Sequence, residues 1–331
     1  MQPSPGHNLK NRAALGSFFA IIGGLALLSL LLGFAAIPRA YVHQLNLGLA
    51  MLYLGLPILA IYRAASADWS KSMAAYFLLG GIVGWGVFIA LDQSVLHHQS
   101  IGSGIAVALS QVGIQTACVG LGALLATLIK DKNILIPIAI FLAIYDIFLV
   151  RTDMGPTHQL MTHAPAILQT TGVRIPAVSS HHGSGLVEAG AYVGDADMVS
   201  LAAFFVALFR FRMRTRQTLI AMVPTLLVYL LVVVQFGVQL PALLPIGAVI
   251  LLVNRPEFKL TRDEQLGTGL VAACALGLLV WGLTRPKIDP ETQSGTLPPE
   301  ISQRMRGLPR SPVKANPGQP QSISPSAPAG K

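Results

Sequence analysis

Apolar positions in this chain fall into nine long runs separated by short polar segments: residues 14–37, 45–61, 73–91, 101–129, 134–150, 186–208, 219–236, 241–253 and 266–283. Most are near the length a helix needs to cross a bilayer, and the eighth is unusually short. A spanning barrel strand would alternate apolar and polar residues. Residues 226–234 are instead apolar at every position, as a lipid-facing helix requires. The pattern predicts an all-α fold, a polytopic transmembrane helical bundle of about nine spans.

Composition agrees. The chain is 53% hydrophobic and 11% charged, which excludes an ordinary soluble domain. The predicted organisation is a short cytoplasmic N-terminus over residues 1–13, a membrane domain over 14–284, and a Pro- and Ser-rich disordered tail over 285–331. The first run follows Lys10 and Arg12, so a signal peptide with Phe34-Ala35-Ala36 as its cleavage site is a rival reading. Its apolar region is too long for that, and a retained helix is predicted.

Charge adds an orientation. With the N-terminus inside, the inner segments carry Lys10, Arg12, Arg63, Lys71, Lys130, Lys132, the cluster Arg210, Arg212, Arg214 and Arg216, and then Arg255, Lys259 and Arg262. The outer loops before the tail carry only Arg39, Arg151 and Arg174. By the positive-inside rule the loop over 151–185 is external. The net charge of +9 is therefore mostly a topology signal and implies no nucleic-acid partner. Short inner loops suit a prokaryotic inner membrane.

The candidate chemistry is acidic. Asp146 and Asp195 fall within apolar runs, where an unpaired charge costs several kcal/mol, and an acid retained there is a functional hypothesis by default. Asp146 is 14 residues from Lys132 and Asp195 is 15 from Arg210, which puts each about 21 to 23 Å above the inner surface. Pro241 is 14 residues above Arg255, at about the same height. Two carboxyls close together in a low dielectric share one proton. The ionised member can take a proton from water while the protonated member donates to a carbonyl oxygen. Close approach of the fifth and sixth helices is expected on Gly183, Gly185, Ala189, Gly190, Ala191 and Gly194. Pro241 and Pro245 predict irregular backbone between them, able to pair with an extended substrate. Ordinary helix packing and a simple kink are the bland accounts of these same residues.

Tyr145-Asp146, Gly194-Asp195 and Pro241-Ala242-Leu243, in that order on separate helices, resemble the presenilin and signal peptide peptidase family of intramembrane aspartyl proteases. The resemblance covers residues 134–253, the predicted catalytic core. It implies that Asp146 and Asp195 are catalytic and that Tyr145, Gly194, Pro241, Ala242 and Leu243 support the active site or bind substrate. It further implies single-span membrane proteins or signal peptides as substrates, with no cofactor and no metal. Gly155-Pro156 and residues 202–211 add to the likeness. The chain departs from the family in having Tyr192 where the first motif glycine stands, four helices rather than five before the first acid, and an extra span after Pro-Ala-Leu. Two other function classes stay open: an ion- or proton-coupled transporter, and a non-catalytic homologue that binds membrane helices.

Other polar residues carry less. Asp197 is two positions from Asp195, about 200° around a helix, and is expected to face away from the pair. Glu188 and Asp92 are expected at the membrane interface. His97-His98 and His181-His182 lack chelating spacing. Cys118 and Cys274 suggest no disulfide framework.

Overall fold

The computed structural model describes residues 5–35, 37–94, 101–152, 172–178, 188–236 and 241–284. Among them are nine α-helices: α1 (Pro5–Leu32), α2 (Arg39–Ala65), α3 (Lys71–Ser94), α4 (Ile101–Leu128), α5 (Leu135–Arg151), α6 (Asp195–Arg210), α7 (Thr215–Phe236), α8 (Leu243–Asn254) and α9 (Arg262–Thr284). Seven are long and apolar enough to cross a membrane, and the chain is a multi-pass helical membrane protein. The other two, α6 and α8, have 16 and 12 residues. His97-His98, Gly155-Pro156, Gly183, Gly185, His181-His182 and the tail lie outside the described residues.

One element differs in kind from expectation. The sixth apolar run is not a single helix. Its first part is a strand, β2 (Glu188–Val193), paired antiparallel with β1 (Val173–Ala177), and helix begins only at Asp195. Pairing runs Val173 with Val193, Arg174 with Tyr192 and Ile175 with Ala191, then skips Gly190 to reach Pro176 with Ala189. The skipped Gly190 is a β-bulge where a side chain does not fit, since a Cβ there would lie 2.7 Å from that of Ala177.

The helices pack through small residues where their backbones meet. A Cβ on Gly122 of α4 would reach Val199 O of α6 at 2.5 Å and the Cβ of Ala202 at 2.6 Å. A Cβ on Gly247 of α8 would lie 3.1 Å from Ala139 O of α5. The core is built largely from α6, with Phe204, Phe205, Ala207 and Leu208 buried against Ile58, Ile61, Val119, Ala123 and Met222. A second cluster of Leu25, Leu49, Tyr53, Ile175 and Val178 seats β1 on α1 and α2, and Tyr53 Oη donates to Leu25 O at 2.6 Å.

Polar latches close the end where the basic residues gather. Arg210 Nη1 donates to Ala126 O at 2.9 Å and Ile129 O at 3.1 Å, satisfying carbonyls at the end of α4. Asn254 is fully buried. It donates to Thr218 Oγ1 at 2.9 Å and accepts from the Arg214 amide at 3.1 Å, tying α8 to α7. The turn after α6 ends in a Schellman motif. The Met213 amide donates to Leu208 O and the Arg212 amide to Phe209 O, with Arg212 at φ 54 where glycine is usual.

Candidate active site

Two helices carry the acids, and a third touches both. α8 packs on α5 and also touches α6, while α5 packs mainly on α8 and α9, and α6 on α4 and α2. α5 and α6 share little direct contact. The expected close approach of these two helices on the stretch before Asp195 is therefore not how the site is built. Ala189, Gly190 and Ala191 belong to β2, and Gly194 is the N-cap of α6.

Asp146 sits in the second half of α5 and is buried, 8% exposed. Its Oδ2 accepts a hydrogen bond of 2.8 Å from the Leu243 amide. Leu243 is the first residue of α8, so its N–H is one of those with no partner inside the helix. The Asp146 carboxyl caps α8 from another helix, and the positive end of the α8 dipole meets an acid. The irregular segment expected between Pro241 and Pro245 is shorter than anticipated. Helix starts at Leu243, because Pro245 falls in the first turn, where an absent N–H breaks no helical bond. Pro241 is buried and Ala242 forms the turn that precedes the helix.

Asp195 is the first residue of α6, with Gly194 as N-cap at φ −65 and ψ 136. Its Oδ1 is buried and has no hydrogen-bond partner among the described residues. Gly194 adopts ordinary extended backbone, and what it contributes is space. A Cβ there would lie 3.0 Å from Asp197 Oδ2.

Asp197 does not face away. Its carboxyl interacts electrostatically with those of both Asp146 and Asp195. A 200° separation of two residues two positions apart holds only inside an uninterrupted helix, and this helix begins at Asp195. In the first turn the Asp197 side chain instead folds back over Gly194. Asp197 thus lies within electrostatic reach of both Asp146, which caps α8, and Asp195, which opens α6. Cys118 of α4 lies within electrostatic range of Asp195.

Tyr145 occupies a different face. Its ring stacks between Phe141 at 5.4 Å and Phe148 at 6.1 Å, a ladder along α5, and Phe148 abuts Gly282 of α9. Tyr192 lies in β2 at 39% exposure, opposite Arg174.

Two site-adjacent residues carried no weight in the sequence. Gln111 Oε1 on α4 accepts from the Arg174 amide at 2.8 Å. Asn46 on α2 accepts from the Val178 amide at 2.8 Å and donates to Val178 O at 3.2 Å. Amide side chains inside apolar helices were the available signal, since such groups need partners. Compared with family models, curated proteins and solved structures, the chain gives no match.

Proposed function

We propose that the protein is an intramembrane aspartic endopeptidase that hydrolyses peptide bonds within transmembrane segments, in the manner of the presenilin and signal peptide peptidase family. The observation that carries the reading is the hydrogen bond from the Leu243 amide to Asp146 Oδ2. It joins the Pro241-Ala242-Leu243 segment to the first of the two acids across 97 positions.

In this reading Asp146 and Asp195 share a proton and titrate as a unit. The ionised carboxyl takes a proton from water as its oxygen attacks the scissile carbonyl carbon. The protonated carboxyl gives its proton to the carbonyl oxygen, and a gem-diol forms. As the gem-diol collapses, the C–N bond breaks, the nitrogen takes a proton from one carboxyl and a diol hydroxyl returns one to the other. The products are a carboxylic acid and an amine, and no metal, cofactor or covalent intermediate enters. A helical substrate has to unwind for this attack, and the outer edge of β2, which leads directly into Asp195, suits an extended segment.

Substrates would be single-span membrane proteins or signal peptides in a prokaryotic inner membrane. The test is cleavage of a panel of single-span substrates by purified protein in liposomes. Wild type is expected to form product, and Asp146→Ala and Asp195→Ala to form none while remaining folded. Binding without cutting by all three would sink the reading.

A proton-coupled transporter is the second reading, favoured by the third acid, Asp197. It predicts proton-dependent solute flux into protein-loaded liposomes and no product.

A further inference from the structure

Among the described residues, the side-chain hydrogen bonds that hold the β-hairpin reach it along β1. Along β1 the amides of Arg174 and Val178 point away from β2. Each donates to a side chain on a membrane helix, Gln111 of α4 and Asn46 of α2, both at 2.8 Å. Pro176, the residue between them with the same outward direction, has no amide hydrogen. Every outward donor position from 174 to 178 is thus either bonded or absent. Asn46 also takes up Val178 O at 3.2 Å, so its amide group mimics one rung of a sheet partner. An edge sealed this way cannot accept another strand.

The helices that seal it also set its height. Asn46, Leu49 and Tyr53 share one face of α2 at spacings of three and four. Leu49 and Tyr53 cluster with Ile175 and Val178. On α4, Gln111, Cys118 and Gly122 share a face in the same way. Gln111 holds β1, Cys118 lies within electrostatic range of Asp195, and Gly122 meets Val199 and Ala202 of α6. Gln111 and Cys118 are seven positions apart, about 10 Å along α4, and Arg174, whose amide Gln111 holds, pairs with Tyr192, three positions before Asp195. Only Gly194 lies between β2 and Asp195.

We propose that Asn46 and Gln111 are positioning residues that pin β1 to α2 and α4 and fix through it the height of β2 and the start of α6. The pinning stands on geometry alone. Its consequence for cleavage rests on the protease reading.

Hydrogen exchange and cleavage, measured on the full chain in liposomes, test the two parts separately. The variants are Asn46→Leu, Gln111→Leu and Asn46→Asp, whose protonated carboxyl keeps both an acceptor and a donor for Val178. Exchange of the amides of Val178 in Asn46→Leu and Arg174 in Gln111→Leu is expected to rise at least tenfold. Cleavage is expected to lose tenfold or more in kcat with little change in KM, and product masses to show cuts spread over neighbouring bonds. Asn46→Asp is expected to recover protection and a single cut site at acidic pH. Unchanged exchange in both leucine variants overturns the pinning. Raised exchange with wild-type kcat and cut position overturns the positioning role. If wild type cuts nothing, the exchange arm still decides the pinning and only the protease reading falls.

Discussion

Leu243 donates its backbone amide to Asp146 Oδ2 at 2.8 Å, so the carboxyl of one membrane helix caps the start of another. The bond explains why a helix can begin at membrane depth without an orphan donor at that position. It also orients the acid, because the bonded Oδ2 fixes where the other oxygen points. Pro241 and the turn at Ala242 place the Leu243 amide at that height.

Removing that one hydrogen bond, with every side chain kept, is expected to cut the cleavage rate about 10- to 100-fold, the range of a hydrogen bond to a charged group worth about 1.5 to 3 kcal/mol. An ester in place of the Ala242–Leu243 peptide bond does this, whereas Leu243→Pro would also strain Ala242, which has φ −79 and ψ −23. Cleavage by the ester protein at the wild-type rate would mean that the bond only closes the fold.

Cleavage is expected to follow a bell-shaped pH profile, lost at low pH when both carboxyls are protonated and at high pH when neither is. Asp197 interacts with both Asp146 and Asp195, and wherever it is ionised its charge opposes theirs. Asp197→Asn removes that opposition, so the profile should move to lower pH by roughly half a unit to one unit, a Coulomb interaction of about 1 kcal/mol. Gly194→Ala, which crowds Asp197 Oδ2, should disturb the profile only while Asp197 is present. An unmoved profile in Asp197→Asn would leave that residue a purely structural role.

The helices were legible because lipid demands long apolar runs, and the common level of Asp146 and the segment starting at Pro241 was legible because helical rise is constant. The hairpin was not. Most of residues 186–194 are apolar or small, a composition that short helix and strand segments share. The signals against a helix were present in Gly190 and in Tyr192-Val193, which favour strand. The acids Asp195 and Asp197 also fit the first turn of a helix better than its middle. The inward turn of Asp197 depends on that helix start, so one misplaced boundary produced both errors. Asn46 and Gln111 signal only that a buried amide needs a partner, and which partner is not legible because it is a backbone group distant in sequence.

Arg212 holds a left-handed conformation at φ 54, which costs a residue with a Cβ roughly 1 to 2 kcal/mol. Arg212→Gly is expected to stabilise the protein by about 1 kcal/mol and to raise its unfolding temperature by about 2 to 4 °C. Thermal unfolding in detergent checks this, and a lowered midpoint would show that the arginine side chain contributes more than its backbone costs.

Glycines should divide by what surrounds them. Gly122→Val forces a Cβ onto Val199 O and the Ala202 Cβ, and neither can yield without moving α6. It should cost about 1 to 3 kcal/mol and reduce cleavage by shifting Asp195. Gly24→Ala meets nothing within 4 Å and should be neutral or slightly stabilising. Equal unfolding midpoints for the two variants would contradict the α4–α6 contact.

Orientation decides which substrates could reach the acids. α5 leads from the basic segment at Lys130 and Lys132, and α6 ends at the cluster Arg210 to Arg216, so both place positive charge on one side. A single cysteine introduced as Gln159→Cys, with Cys118 and Cys274 replaced by alanine, is expected to react with an impermeant thiol reagent from outside intact cells. Thr215→Cys is expected to react only after permeabilisation. With that orientation the site would take substrates whose N-terminus is inside, and reversing a substrate in the bilayer should abolish its cleavage. Labelling of Thr215→Cys alone in intact cells would invert the topology and with it the substrate preference.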